Sequence, residues 1–350
     1  MFSIRMNDNN ISLIISSTLP SPKQTIYDIY VNSGPSLILI IFVGIRWLIS
    51  IIGFLFNFLL FWITIKDKST LNSSCNYLIA IDALFTSIYQ SSNSISMYIV
   101  LTGINFINLD ICFYLMIYSI FSITMSLCST FFIGFDRLIS VIFPITFAKN
   151  KNSRIIIYFS IGISIIYSFY TLWSCMEICL SIPKTQVICS ITDCFQKDLG
   201  QMTFRNNIIV ILFSTLNYII IWIVIKWRST NNKQVENYTK KIFKSLSVIM
   251  AMVLAGWMLN TLVHVILPLF SLDEIQIFYL ISILGCISNF VMACNLPVLY
   301  TFSIDYKTAL NRFYNKKVSN GVPAKIEQNK LNNLEGTSNK NNKILPKEAW

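Results

Sequence analysis

Seven long apolar segments dominate this sequence and restrict the folds that it can adopt. Each contains 20 residues or more, and a helix needs about 20 apolar residues to cross the hydrocarbon core of a bilayer. Backbone polar groups in lipid must be hydrogen-bonded within their own segment, so each segment is predicted to be a transmembrane helix. The segments are 37–65, 75–99, 112–135, 155–174, 206–225, 245–269 and 278–302.

The composition agrees with a membrane protein. Of the 350 residues, 54% are hydrophobic and 12% are charged, and the mean hydropathy is +0.61. Soluble domains carry about 25% charged residues, and a soluble globule of this size could not bury so much apolar surface. The predicted fold class is therefore an all-α membrane protein, a bundle of seven transmembrane helices.

The basic residues of the loops predict the orientation of this bundle. The loops after the first, third and fifth segments contain 12 Lys and Arg, whereas those after the second, fourth and sixth contain three. Cytoplasmic loops carry such an excess, so the first set is predicted to be cytoplasmic and the protein to lie in the plasma membrane. The net charge of +11 is thereby attributed to membrane topology, and no nucleic-acid partner is expected.

This orientation divides the chain into four predicted parts. Residues 1–36 form an extracellular N-terminal segment, and residues 37–302 form the seven-helix bundle in the lipid bilayer. Residues 303–314 are predicted to form a short amphipathic eighth helix. Residues 315–350 are rich in Asn and Lys and have almost no aromatic residues, so they are predicted to be a disordered cytoplasmic tail.

The third segment carries the most informative arrangement of residues. Cys112 lies at its predicted outer end, Asp136 and Arg137 lie at its inner end, and Pro144 follows. The 25 residues between Cys112 and Arg137 correspond to about 37 Å of helix, a full crossing. Here the sequence resembles the rhodopsin-like family of G-protein-coupled receptors, which has an outer Cys and an inner Asp-Arg-Tyr at this spacing.

Other segments carry residues that resemble the same family, and the resemblance extends over 37–314. The run from Ala293 to Tyr300 and the Asp-Arg-Leu form at 136–138 are similar to nematode serpentine chemoreceptors of the Srsx group. The other matching residues are Gly53 and Asn57 in the first segment, Leu78 and Asp82 in the second, Ser126 in the third, Trp257 in the sixth, and Asn295 and Pro297 in the seventh.

The resemblance implies a chemosensory receptor that binds an extracellular small molecule or peptide and activates a heterotrimeric G protein. The implied coupling residues are Asp136, Arg137, Tyr218 and Tyr300. The implied polar core, which could hold a sodium ion, consists of Asn57, Asp82, Ser126 and Asn295.

The chain also departs from the pattern of the family. Leu259 stands where the sixth segment usually has a proline, and residues 239–241, at the start of that segment, include no acid. A lock between Arg137 and a carboxylate of the sixth helix is therefore not expected, and Asp136 remains as the local partner of Arg137.

The ligand pocket is expected in the outer half of the bundle, between helices. Ser119 stands at the depth where amine receptors of the family place an Asp, so an amine ligand is disfavoured. For His264 a buried structural role and a role facing the ligand both stay open. For Arg46 the sequence allows either pairing with an anionic ligand or extension toward the membrane surface. The candidate pocket residues are Ser119, Trp257, Asn260, His264 and Phe290.

The resemblance further implies a disulfide between Cys112 and the loop 175–205. Cys189 and Cys194 are the candidates, and Cys189 is preferred. No metal site and no cofactor are expected, since the chain has a single His and no Cys-x-x-Cys pair. A channel or transporter is the alternative class, but it predicts polar pore rings or inverted repeats, which the sequence lacks. An enzyme is not expected, because too few acid–base groups lie within the segments.

Overall fold

The computed structural model describes residues 25–143, 150–195, 197–229 and 273–321, with the single positions 251, 256, 258, 259, 262, 263 and 266. Two short strands are β1 (Ile107–Asn108) and β2 (Gln186–Val187), and a 3₁₀ turn spans Ile191–Cys194. The helices are α1 (Ile26–Tyr30), α2 (Leu37–Lys66), α3 (Ser74–Ser91), α4 (Asn93–Leu101), α5 (Leu109–Ile142), α6 (Asn150–Ser181), α7 (Lys197–Ser229), α8 (Glu274–Ala293), α9 (Asn295–Phe302) and α10 (Ile304–Gly321).

The described helices form a membrane bundle. α5 lies at its centre and contacts α3, α6 and α7, while α2 packs against α3 and α8. Five described segments are long and apolar enough to cross a membrane, and they correspond to the first, third, fourth, fifth and seventh predicted segments. They are Leu37–Lys66, Leu109–Ile142, Arg154–Ser181, Met202–Val224 and Ile275–Phe302. The sixth predicted segment lies outside the described residues except at the single positions.

The surface of α2 illustrates how the bundle meets lipid. Leu48 and Leu55 are 56% and 57% exposed, whereas Ser50, Gly53 and Asn57 on the opposite face are buried. Lipid is as apolar as leucine, so large apolar residues face outward without loss. Small and polar residues at the helix contacts allow close approach and hydrogen bonding.

The second and seventh predicted segments are each divided into two helices rather than continuous. At Ser92 the backbone N–H bonds to the carbonyl group of Tyr89, only three residues back, and the Ser92 hydroxyl group donates to the same carbonyl. At Cys294 the division precedes Pro297, whose ring cannot fit against the carbonyl group four residues earlier. Both divisions thus have local causes that apolar content alone does not reveal.

One end of the bundle, which we call the disulfide end, is covered by a loop. β1 pairs antiparallel with β2, with Ile107 opposite Val187. Cys112, at the start of α5, forms a disulfide with Cys189, and their Cα atoms are 5.3 Å apart. Cys194 keeps a free thiol, so the preferred pairing is confirmed. The opposite end is called the Arg137 end.

The predicted eighth helix is present as α10, but it extends past the expected boundary at 314 to Gly321. Once a helix is docked, each further residue adds a hydrogen bond without new nucleation, which favours such an extension. Arg312 anchors α10 to Asp67, with Nη1 3.1 Å from Oδ2. Burial opposes ionisation of Asp67, but hydrogen bonds from neighbouring hydroxyl groups and the Arg312 charge outweigh it and lower its pKa.

Candidate functional site

Asp136 and Arg137 lie near the end of α5, beside the start of α3. Asp136 is 1% exposed and lies close to the hydroxyl group of Ser74, and its Oδ1 atom has no hydrogen-bond partner among the described residues. Arg137 lies close to the thiol of Cys75 and has Asp136 within electrostatic range. Its Nε is buried and, in the described part of the chain, has no hydrogen-bond partner. A half-buried cation with an unused hydrogen-bond donor therefore lies at this end.

Tyr218 of α7 faces the same site. Its ring lies so close to Gly134 that a Cβ atom there would be 3.0 Å from the ring carbon Cε2. Its hydroxyl group is buried within electrostatic range of Arg137, without a hydrogen-bond partner among the residues that the structure describes. The small residue at 134 allows this approach of α7 to α5.

Tyr300, the remaining predicted coupling residue, lies elsewhere. Its side chain is 40% exposed, and its hydroxyl group is 3.5 Å from Oδ1 of Asn311 on α10. Tyr306 is only 2% exposed, accepts a 3.4 Å hydrogen bond from Thr64, and is within electrostatic range of Arg137. The structure therefore brings Tyr306, and not Tyr300, beside this site.

The predicted polar core divides into two groups. In the first, Nδ2 of Asn295 donates to Oδ1 of Asn57 at 3.0 Å. Nδ2 of Asn57 lies 2.9 Å from the carbonyl oxygen of Gly53, 3.0 Å from that of Met292 and 3.2 Å from Oε1 of Gln90. This group joins α2 and α3 to the division between α8 and α9.

The second group lies between α3 and α5. The Ser126 hydroxyl group donates to Oδ1 of Asp82 at 2.6 Å, and the Thr86 hydroxyl oxygen is 2.9 Å from that of Ser126. No hydrogen bond among the described residues joins this group to the Asn57 group. The oxygen atoms that lie together, and are therefore candidates to hold a cation, belong to Asp82, Ser126 and Thr86.

A further polar network was not expected from the sequence. Asn93 donates to the hydroxyl group of Ser50 at 2.9 Å, and Ser50 is 3.2 Å from Oδ1 of Asn289. Gln90 reaches the carbonyl group of Asn289 at 3.4 Å. The sequence did contain a signal for this network, namely amide side chains inside apolar segments. Polar side chains of membrane helices form hydrogen bonds with neighbouring helices.

A cavity of about 480 Å³ opens at the disulfide end. Its walls come from α2, α4, α8, the loop that carries β2, and the start of α1. Tyr27, Phe42, Phe106 and Phe278 supply aromatic surface. Small-molecule pockets are typically of about 300–1,000 Å³, apolar with a few polar groups. The cavity thus has the size and lining of a ligand site, and a smaller one of about 70 Å³ adjoins it.

Arg46 lines both cavities. Its guanidinium group lies against Gly285 of α8, where a Cβ atom would be 3.4 Å from Nη1. The side chain is therefore turned into the bundle, which decides between the two orientations that the sequence allowed. Asp193 lines the larger cavity and accepts a 2.8 Å hydrogen bond from the N–H group of Ser190. Burial raises the pKa of this carboxyl, against the effect of its hydrogen bonds.

Two of the pocket residues predicted from the sequence, Ser119 and Phe290, do not line these cavities. Ser119 is fully buried and donates to the hydroxyl group of Ser92 at 2.8 Å, bridging α5 to the division between α3 and α4. Phe290 is 57% exposed, because it follows the cavity residue Ile281 by nine positions, half a turn around α8. Outside the described residues lie Trp257, Asn260 and His264.

Comparison with known protein families gives one match. Residues 50–314 match the family described as serpentine type 7TM GPCR chemoreceptor Srsx. The matched range includes the whole Arg137 end and both polar groups, whereas Arg46 precedes it. No curated protein matches the chain.

Proposed function

The chain belongs to the Srsx family of serpentine seven-transmembrane GPCR chemoreceptors, and from this premise we propose that it binds an extracellular small molecule and activates a heterotrimeric G protein. The protein is a multi-pass membrane protein of a receptor family rather than of an enzyme family. The ligand site is the cavity of about 480 Å³ at the disulfide end. The G-protein site is at the Arg137 end.

One observation carries the proposal: a ligand-sized cavity and a half-buried arginine with unused hydrogen-bonding capacity lie at opposite ends of the bundle. Cys112 holds the loop over the cavity, and Arg137 lies 25 residues further along the same helix. A ligand changes an equilibrium only by its different affinity for the two states. The disulfide joins α5 to the loop over this cavity, and Ile123, Thr124 and Leu127 of α5 line the smaller adjoining cavity. α5 is therefore a physical connection between the ligand end and the G-protein end.

The orientation proposed for the bundle follows the basic loops, with the disulfide end outside. The tail from 303 to 350 contains nine Lys and Arg, against two in 1–36, in line with an intracellular C-terminus. Epitope tags at the two ends, stained on intact and permeabilised cells, test this. We expect only the N-terminal tag to be accessible on intact cells, and a C-terminal tag accessible there would contradict the orientation.

In the proposed mechanism, agonist binding favours a state in which Arg137 separates from Asp136 and turns toward the G protein. The Tyr218 hydroxyl group, which has no hydrogen-bond partner among the described residues, then gains a partner in the rearranged site. Asp82, Ser126 and Thr86 would hold a sodium ion in the resting state, where its charge would compensate that of the carboxylate.

Nucleotide exchange on a heterotrimeric G protein, normalised to surface expression, tests the coupling role. Arg137→Ala and Arg137→Lys are both expected to reduce exchange strongly, because Lys lacks the planar fork of five donors. Arg154→Ala is the matched control, since Arg154 is an exposed arginine at the same end of the bundle, and it is expected to signal normally. Full signalling by both Arg137 variants would refute the proposed function.

A further inference from the structure

Arg46 is a charged residue inside the membrane-spanning part of α2. It lies nine residues after Leu37, the first residue of the helix, or about 13 Å along the axis at 1.5 Å per residue. Ionisable side chains at such depth are energetically unfavourable and indicate function by default. Arg46 is also the only charged residue of the apolar segment 37–65.

Among the described residues this guanidinium group has no salt-bridge partner, although the Asp193 carboxyl lies within electrostatic range of it. Its Nε is buried and has no hydrogen-bond partner, and it makes no ion pair within 4.0 Å, among the residues that the structure describes. Asp193 lines the same cavity but accepts hydrogen bonds from Ser190 within its own turn. The sequence of the predicted sixth segment, 245–269, contains no Asp or Glu.

The acids at the start of α8 are too distant to pair with the guanidinium group of Arg46. Asp273 and Glu274 precede Gly285, which Arg46 contacts, by 12 and 11 residues. In a helix these separations correspond to about 16–18 Å. An anion that enters the cavity is therefore a better partner for Arg46 than any acid of these elements.

The cavity favours one class of anion. It combines the guanidinium group with aromatic walls, including Phe42 and Phe278, and with the Asp193 carboxyl. A carboxylate matches the planar fork of arginine with two parallel hydrogen bonds. A single cation balances a single negative charge, whereas a doubly charged phosphate would face Asp193 without a second cation.

We propose that the receptor recognises small amphipathic carboxylates, whose carboxylate pairs with Arg46 and whose apolar chain occupies the aromatic part of the cavity. The inference rests on the proposed function, since it specifies the ligand of the same site. Its central residue, Arg46, precedes the range 50–314 that the family model matches, whereas Asp193 and Phe278 lie within that range.

The test is thermal stabilisation of the purified full-length receptor in neutral detergent by hexanoate, octanoate and decanoate, each against its methyl ester. We expect at least one acid, and not its ester, to raise the melting temperature. Arg46→Gln is expected to weaken this binding by about tenfold or more, since a charge-assisted pair is lost. Lys66→Gln is the matched control, because it removes one positive charge from the other end of α2 and is expected to bind normally.

Three results would overturn the inference: no response to any of the acids, equal responses to acid and ester, or unchanged binding by Arg46→Gln. The unliganded variants supply an independent readout. Because Arg46 makes no salt bridge among the described residues, Arg46→Gln without ligand is expected to melt no lower than the wild type, and a clear decrease would indicate a structural role instead.

The binding assay contains no G protein, so it separates this inference from the proposed function. A receptor that binds octanoate through Arg46 but never stimulates nucleotide exchange would contradict the proposed function and support the ligand class. A receptor that signals normally but responds equally to acid and ester would support the proposed function and contradict the ligand class.

Discussion

Asn295 of α9 donates a hydrogen bond to Oδ1 of Asn57 on α2, with the two atoms 3.0 Å apart. The same Asn57 lies beside Gln90 of α3 and the carbonyl group of Met292, just before the division between α8 and α9. These contacts join α2 and α3 to the division between α8 and α9, where the seventh segment loses regular backbone bonding. Its stability should therefore depend on how closely α2 and α3 approach.

Gly53→Ala is expected to lower the melting temperature of the receptor in detergent. A Cβ atom at this position would overlap the side-chain amide of Gln90, and overpacking of this kind costs about 1–3 kcal/mol. Gly162→Ala on α6 is the control, since nothing lies within 4 Å of its added Cβ. That variant is expected to gain about 0.5–1 kcal/mol, and equal losses in both would contradict the packing argument.

Sodium is expected to stabilise the receptor through Asp82. Thermal unfolding in sodium chloride and in choline chloride at equal concentration is the measurement, and the wild type should melt higher in sodium. Asp82→Asn should abolish the difference, because it removes the carboxylate bonded to Ser126. Asp67→Asn, which lies outside the spans, should retain it. Identical melting of the wild type in both salts would show that sodium does not bind.

Breaking the disulfide is expected to destabilise the covered end of the bundle. Cys112→Ser should lose about 2–5 kcal/mol, mostly through the greater freedom of the unfolded chain. Dithiothreitol should lower the melting temperature of the wild type and have little effect on the variant. Cys286→Ser replaces a free, half-buried cysteine and should respond to dithiothreitol like the wild type.

Tyr218→Phe should separate stability from signalling. The variant deletes a buried hydroxyl group that has no partner in the described part of the chain, so its melting temperature should be unchanged or higher. If that group pairs in the activated site, its loss should reduce nucleotide exchange, by about tenfold for one bond to a charged group.

Tyr300→Phe is the control for this experiment, since the ring of Tyr300 is exposed and its hydroxyl group faces Asn311. It should signal normally. Equal loss of exchange in both variants would indicate that Tyr300 shares the coupling role despite its position in the described structure.

The sequence alone determined the helical segments, their number and the family. In lipid a segment must satisfy its own backbone, so apolar length predicts a spanning helix without knowledge of its neighbours. Spacing along one helix was equally informative, because Cys112, Asp136 and Arg137 are related by a fixed rise per residue. The division at Ser92 was harder to predict, since serine and asparagine side chains compete locally with helix bonds that apolar content does not report.

Only the tertiary structure decided which side chains meet. The sequence left both Cys189 and Cys194 available to Cys112, and the pairing of β1 with β2 brings Cys189 to it. The burial of Tyr306 instead of Tyr300 and the inward turn of Arg46 against Gly285 depend on the rotation of whole helices. Rotation and tilt are set by packing against distant segments rather than by local sequence, so these contacts are absent from any local pattern.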